Sequence, residues 1–323
     1  MPRTPTVVVH HDLPVADAIA AATDAVSVVD ATARTDALAA LSAADVFVVN
    51  PTNWTDEFLA GLEAGDWVQA TSAGYAAFPV ETFRERGIAF ANAGDVHSVA
   101  VADHAMAMLL ALARGLPTCV RNQDARRWDR SIGGRVVDLA DRRLLVIGLG
   151  SIGERIARRA LAFSMTVHGS KRDPTTYDGV LDAERVHDAD GWRELLPRMD
   201  GVVLAVPLTD RTRGLFDANA FDRLPDHAIV VNVARGPVLD ADALLAVMRD
   251  DRLGGAGLDV FEEEPLPTDA PLWDEERVII SPHVAGRSTS FVDRFVDHFV
   301  KNVECWRRND PLGGEIVGGN RTA

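Results

Sequence analysis

A chain of 323 residues, 47% of them hydrophobic, is long enough for about two domains with full cores. Its formal net charge of −15 argues against nucleic acid and anionic membrane surfaces as partners. No stretch approaches the ~18 uninterrupted apolar residues of a membrane span, so no membrane partner is expected.

Met1-Pro2-Arg3-Thr4 leads straight into the strand-like Thr6-Val7-Val8-Val9, without the pattern of a signal peptide. Two cysteines, Cys119 and Cys305, make no disulfide framework and stand in no metal-ligand spacing. The expectation is a soluble cytoplasmic protein without a metal. The first hundred residues alternate strand candidates (Val7–Val9, Val26–Val29, Val46–Val49, Trp67–Thr71, Ile88–Phe90) with helix candidates at Val15–Ala22 and Phe58–Ala64. Strands spaced by helices predict a parallel sheet covered on both faces. Val99–Arg114 reads as a long helix, apolar on every side and therefore buried on more than one face. It would cross between domains, and residues 99–130 would pack a second copy, making a homodimer. Asp103, His104 and Arg114 speak against a membrane helix.

Next, Leu144-Leu145-Val146-Ile147 breaks into Gly148-Leu149-Gly150-Ser151-Ile152-Gly153 and turns helical at Glu154-Arg155-Ile156-Ala157. Strand, G-x-G-x-x-G turn and helix form the pyrophosphate-binding opening of a dinucleotide fold. Gly148 permits the tight turn, Gly150 lets backbone amides approach the phosphates, and Gly153 lets the helix pack close to the strand. The positive helix end, at Ser151 and Ile152, then faces the anion. A second alternation follows: Met165–Val167, Val202–Val206, Ile229–Val233, Ala256–Asp259 and Val278–Ile280. Finally, Ser288–Trp306 carries Phe291, Phe295, Phe299 and Val303 at four-residue steps, an amphipathic helix that returns the chain to the first domain. The expected fold class is α/β: two Rossmann-like or flavodoxin-like domains with parallel sheets and a cleft between them. The dinucleotide domain would span 98–286, and a discontinuous substrate domain would comprise 1–97 and 287–323.

An NAD-binding unit usually carries Asp or Glu at the end of its second strand, bonded to the ribose 2′-hydroxyl. Here the strand runs into His168-Gly169-Ser170-Lys171-Arg172, with no acid at that place. Ser170, Lys171 and Arg172 would bind a 2′-phosphate through a hydroxyl and two cations. Asp173, one step further on, could still reach a ribose. NADP(H) is the preferred cofactor, with NAD(H) possible.

Ligands of such sheets lie beyond the carboxyl ends of the strands. Three polar residues sit there: Arg235 in Asn232-Val233-Ala234-Arg235-Gly236, Glu264 in Phe261-Glu262-Glu263-Glu264-Pro265, and His283 in Ser281-Pro282-His283-Val284-Ala285. Arginine offers a planar fork to carboxylates, and histidine exchanges protons near neutral pH. Taken singly, each reads as a surface charge, a solvated acidic loop or a turn residue. At successive strand ends beside a dinucleotide turn, they read as a site. The remaining histidines, including His10-His11, have no such context and read as structural.

These segments resemble the D-isomer-specific 2-hydroxyacid dehydrogenase family, over about Thr71 to Pro311 and most closely from Leu144 to Gly286. Asn232–Gly236, Gly257–Pro265 and Pro282–Gly286 look like its three signature segments, in its order. Thr71-Ser72-Ala73-Gly74 resembles its substrate-carboxylate loop, and Val101-Ala102-Asp103-His104 its helix start near the nicotinamide, although Glu is commoner where Asp103 stands. The resemblance implies reversible hydride transfer between a 2-oxo acid and NAD(P). His283 would protonate the forming alkoxide, and Glu264 would keep it protonated and turned. Arg235 would bind the substrate carboxylate and polarise the keto oxygen. The Ser72–Gly74 loop, through Ala73 and Gly74 amides, would hold the other carboxylate oxygen. Asp259 would meet the nicotinamide carboxamide, with Pro207, Thr212, Val233, His283 and Gly286 as further cofactor contacts. The substrate side chain would lie near Asn53, Trp54 and Tyr75. Formate-acting relatives carry Gln where Glu264 stands, which disfavours that reading. A nucleotide-sensing corepressor shares the fold but would need a protein-binding surface and usually added tails.

Lysine occurs only at Lys171 and Lys301, and Asp outnumbers Glu. A GC-rich genome would explain the missing lysines but less well the acidic excess. An acidic, lysine-poor surface suits high salt, where screening removes self-repulsion. Dialysis into low-salt buffer should therefore lower both the melting temperature and the activity. Unchanged folding and turnover after dialysis would refute a salt-adapted host.

Overall fold

The computed structural model describes residues 3–134 and 136–319. They form two compact units, residues 3–97 with 288–319, and residues 98–134 with 136–287. The expected boundary at 286/287 thus falls one residue early.

The first unit runs β1 (Thr6–His10), α1 (Val15–Ala22), β2 (Ser27–Asp30), α2 (Arg34–Leu41), β3 (Val46–Val49), β4 (Trp67–Ala70), α3 (Val80–Arg86) and β5 (Ala89–Ala91). It is completed from the far end of the chain. The strands are short and rich in β-branched residues, and β3 and β4 are buried along their whole length. Such continuous apolar runs fit a parallel sheet covered on both faces. Val7, Val9, Val46 and Val48 point into one cluster, while Val8, Phe47 and Val49 point into the other, as two-residue alternation requires.

The second unit receives the chain through α4 (Gly94–Ala113), followed by α5 (Leu116–Asp124). It continues with β6 (Arg143–Ile147), α6 (Ser151–Ala162), β7 (Thr166–Ser170), β8 (Val186–His187), β9 (Gly201–Leu204), α7 (Ala218–Asp222), β10 (Ile229–Asn232), α8 (Ala241–Arg249), β11 (Gly255–Leu258) and β12 (Val278–Ile280). The seven strands are all parallel, in the order β12-β11-β10-β9-β6-β7-β8. Strand order reverses between β6 and β9, which makes their carboxyl ends the switch point where ligands of doubly wound sheets bind.

α9 (Phe291–Arg308) and β13 (Glu315–Val317) belong to the first unit. The predicted stripe Phe291, Phe295, Phe299 and Val303 lies in that unit's core, where Phe299 stacks on Trp67 with ring centroids 5.2 Å apart. β13 pairs antiparallel with β5, giving the order β13-β5-β4-β3-β1-β2.

Several elements differ from expectation. The candidate helix Phe58–Ala64 is a 3-10 turn over Asp56–Gly61, anchored by buried Phe58. Helix α2 buries only Ala37 and Leu41, so its sequence shows little apolar periodicity. β13 has three residues, and its pairing depends on β5 being in place. Helix α4 starts five residues earlier than expected, and it is long and apolar enough to cross a membrane by length and composition. Half of its most apolar window is buried inside the protein, where Val101, Ala105, Met108 and Leu109 join the core of the second unit. A core helix passes that test for the same reason a spanning one does. Trp54 packs its ring against Phe58, Phe78 and Phe83, so it serves the core of the first unit. Of the histidines read as structural, His10 bonds the Ala31 carbonyl and His11 accepts from the Leu13 amide.

Asp66, just before β4, is half-buried, and burial pushes its carboxyl from 3.8 up to about 6, with nearby Asp45 and Glu63 adding to the rise. The folded chain holds this proton more tightly than the unfolded chain. Its stabilisation is full below about pH 4 and lost as pH rises through 6. Asp66→Asn keeps an acceptor for the Glu63 amide, which Asp66 now binds at 2.6 Å. Its melting temperature relative to wild type should therefore rise between pH 4 and pH 7.5. A constant or falling difference in paired melts would contradict this.

Candidate active site

The turn after β6 is built by close approach. Gly148 adopts φ +105, and a Cβ there would lie 2.6 Å from the Ala205 carbonyl. A Cβ on Gly153 would lie 1.9 Å from the Gly148 carbonyl, so only glycine lets α6 start this close to its strand. Gly150 differs: its Cβ direction meets nothing within 4 Å. It is the N-cap of α6, and no side chain caps the helix. The amides of Ser151 and Ile152, in the first turn of a twelve-residue helix, donate to none of the described residues. That donor set fits a pyrophosphate.

At the end of β7, Ser170 is buried and its carbonyl accepts the Gly148 and Leu149 amides at 3.1 and 2.8 Å. Lys171 donates weakly to the Leu149 carbonyl at 3.5 Å, and Arg172 is exposed. Neither forms an ion pair among the described residues. Asp173 is engaged elsewhere: its carboxylate takes the Thr175 amide at 3.0 Å and the Thr175 hydroxyl at 2.5 Å, capping a short turn. On the loop after β9, the Thr212 hydroxyl donates to the Pro207 carbonyl at 2.6 Å, closing that loop on itself. Val233 is buried beneath the next loop, and Gly286 ends the His283 loop.

Arg235, Glu264 and His283 lie past the ends of β10, β11 and β12, three adjacent strands. Buried Asn232 holds the first loop, accepting from the Ala234 amide at 3.0 Å and donating to the Arg235 carbonyl at 3.2 Å. A Cβ on Gly236 would lie 1.9 Å from the Phe261 carbonyl carbon. The Arg235 loop therefore packs backbone to backbone against the loop that carries Glu264. The Arg235 guanidinium makes one hydrogen bond among the described residues, to the Ala234 carbonyl at 2.6 Å. Burial pushes it below its ordinary value, and Glu264 partly offsets this. Its remaining donors fit a bidentate carboxylate.

Glu264 uses both oxygens: Oε1 accepts the Phe261 amide at 2.9 Å, and Oε2 meets His283 Nδ1 at 2.7 Å. A carboxylate accepts, so Nδ1 carries the hydrogen, and Nε2 makes no hydrogen bond to Glu264. The backbone of His283 is left-handed, φ +51. Its amide donates to the Asp259 carbonyl at 2.8 Å and the Ser281 carbonyl at 3.0 Å. Asp259, 2% exposed, binds the Ser281 hydroxyl and the Val284 and Ala285 amides with its carboxylate. It organises the loop of His283, and Oδ2 accepts a single hydrogen bond among the described residues.

In the first unit, residues 71–74 have all four carbonyls fastened. His97 Nε2 donates to Thr71 at 2.8 Å, the Ala93 amide to Ser72 at 2.8 Å, Asn92 to Ala73 at 2.7 Å, and the Ser72 hydroxyl to Gly74 at 2.6 Å. The amides of Ser72, Ala73 and Gly74 donate to none of the described residues. Successive free amides of this kind form an anion-binding concavity. Asn232, Gly236, Asn92 and Ser281 were not singled out in the sequence. The glycine and asparagine flanking Arg235 were the available signal.

Residues 106–285 match the family described as D-isomer specific 2-hydroxyacid dehydrogenase, NAD binding domain. The chain is 36% identical over 247 residues to a D-3-phosphoglycerate dehydrogenase of Methanocaldococcus jannaschii, covering 76% of this chain and 46% of that protein. It is 35% identical over 218 residues to glyoxylate/hydroxypyruvate reductase B of Yersinia pestis, covering 67% of this chain and 66% of that one. It thus spans about half to two thirds of the length of these relatives. Among solved structures it is similar to a D-isomer specific 2-hydroxyacid dehydrogenase family protein from Aeromonas salmonicida, with 29% identity, TM-score 0.81 and 97% and 99% of the two chains covered. A dehydrogenase of the same description from Xanthobacter autotrophicus, solved with NADPH and MES, matches at 26% identity, TM-score 0.78 and 97% and 98% coverage.

The glycines separate packing from binding. Gly153→Ala should cost about 1–3 kcal/mol or more, as overpacking does, and lower the melting temperature. Gly150→Ala should melt like wild type yet bind a nicotinamide dinucleotide more weakly in a fluorescence titration. Equal melting temperatures for the two variants would contradict the packing difference.

Proposed function

Because this chain belongs to the D-isomer-specific 2-hydroxyacid dehydrogenase family, we propose that it is an NADP(H)-preferring oxidoreductase reducing small 2-oxo acids to D-2-hydroxy acids. The observation that carries this reading is the bonded pair His283–Glu264 at a strand end beside the guanidinium of Arg235. The glycine turn at Gly148–Gly153 and the amides of Ser151 and Ile152 would hold the cofactor's pyrophosphate. When bound, the reduced nicotinamide supplies the hydride that the keto carbon receives.

Arg235 binds the substrate carboxylate through its fork and draws electron density toward the keto oxygen, an electrostatic task favoured where water is excluded. His283, held by Glu264 through Nδ1, gives the proton on Nε2 to that oxygen as it becomes a hydroxyl. In the oxidising direction the same nitrogen takes the proton back. Glu264 fixes the ring's orientation and favours the positive ring electrostatically. Asp259 receives the carboxamide; the Ala73 and Gly74 amides, in the first unit, are a carboxylate-binding loop by resemblance to the family.

Three features support NADP(H). No carboxylate ends β7, Asp173 is engaged by Thr175, and Lys171 and Arg172 are cations without an acidic partner among the described residues of a chain carrying −15. The similar Xanthobacter structure holds NADPH. The Yersinia relatives' name makes glyoxylate and hydroxypyruvate the first oxo acids to try. A homodimer through residues 99–130 is part of the proposal, supported by Leu116, Val120 and Trp128, which are 48%, 57% and 92% exposed.

Loss of reduced-cofactor absorbance should be measured with glyoxylate, hydroxypyruvate, pyruvate, 2-oxobutyrate and 2-oxoisocaproate, using NADPH and NADH. Turnover should be faster with NADPH. Lys171→Ala with Arg172→Ala should lower kcat/KM for NADPH about tenfold or more, the loss of a charge-assisted hydrogen bond, and by more than for NADH. His283→Gln should nearly abolish turnover while dinucleotide binding persists. Silence on every oxo acid would overturn the activity, and a strong NADH preference would overturn the cofactor assignment.

A further inference from the structure

A chain of hydrogen bonds runs from the His283 loop toward α4, within the second unit. The Ser281 hydroxyl donates its single hydrogen to Asp259 Oδ1 at 2.5 Å. Its lone pairs then face His104 Nε2, 2.8 Å away. His104 must therefore carry hydrogen on Nε2 and donate. Nε2 also lies 3.6 Å from Asp259 Oδ1. The two ends of this chain stand 177 residues apart in sequence, His104 on α4 and Ser281 just past β12. No step of the proposed reaction uses His104.

The arrangement has a consequence for His283. A left-handed histidine costs about 1–2 kcal/mol in backbone strain, so surrounding bonds must hold it. Those bonds converge on Asp259: its carbonyl takes the His283 amide, and its carboxylate takes the Val284 and Ala285 amides. The Ser281 hydroxyl joins these two amides in holding that carboxylate, and His104, bound to the hydroxyl's lone pair, keeps its hydrogen on Asp259. We propose that His104 is a positioning residue, which through Ser281 locks the Asp259 carboxylate and so fixes the backbone from which His283 reaches Glu264. The inference rests on the reading of His283 as the proton donor.

The test uses the full chain, with wild-type turnover on the oxo acid panel established first. His104→Leu and Ser281→Ala should each lower kcat about tenfold, as loss of a bond to a charged network does, with oxo acid KM and dinucleotide Kd within about twofold. The double variant should be no slower than the worse single one, because both break one chain. His104→Gln, whose amide also donates, should restore most of the rate. A merely structural loss would lower the melting temperature and would not be rescued by a donor.

Wild-type kcat in Ser281→Ala, independent losses that multiply, or a His104→Gln variant as slow as His104→Leu would overturn the inference while leaving the proposed activity intact. Should His104→Leu fail to fold, Ser281→Ala and His104→Gln decide by the same criteria. Wild-type silence on every oxo acid would overturn both the inference and the reading beneath it.

Discussion

Asp259 is buried, 2% exposed, where β11 leaves its sheet, and three donors from the loop after β12 close on its carboxylate. Burying a carboxylate is costly unless its lone pairs are met. Ser281, Val284 and Ala285 must therefore stay where they are, and His283 is held between them. The left-handed backbone of His283 aims its ring back at Glu264, which is itself tied to the Phe261 amide. Moving Asp259 would release a loop, and the His283–Glu264 pair with it.

Backbone proximity extends this arrangement to the neighbouring strand. With Cβ atoms excluded at Gly236, the Arg235 loop lies on the Phe261–Glu262 backbone. At the switch point, Gly148 and Gly153 bring β6, α6 and the Ala205 backbone together in the same way. In each place a missing side chain permits close approach of two backbones, and rigid strands deliver the polar groups. Such placement limits how far the polar groups on these loops can drift.

The distribution of cations is also informative. Most arginines with a partner serve the fold: Arg142 with Asp200, Arg159 with Asp103, Arg252 with Asp222. Lys171 and Arg172 form no ion pair among the described residues, and Arg235 has Glu264 as its acidic neighbour. All three stand at strand carboxyl ends, where ligands of such sheets bind.

Much of this was legible in the chain itself. Strand–glycine–helix grammar around Gly148–Gly153 depends on local backbone rules, so the dinucleotide turn needed no coordinates. The Phe291–Val303 stripe announced a helix packed on the first unit because its period is a property of the helix alone. Arg235, Glu264 and His283 could be chosen because each follows an apolar strand. The short elements were less legible: α2 has only a weak apolar face, and the three-residue β13 has no reason to be a strand until β5 offers it an edge. Trp54, read as a pocket residue, also packs its ring among phenylalanines, since aromatic side chains do not declare in sequence which face they will occupy. Likewise, that Asp173 would turn to Thr175, that Asp259 would be encircled, and that His104 would reach Ser281 across 177 residues were decided by the tertiary structure. Hydrogen bonds between distant segments follow from how strands order themselves in a sheet, and one-dimensional spacing carries no record of that order.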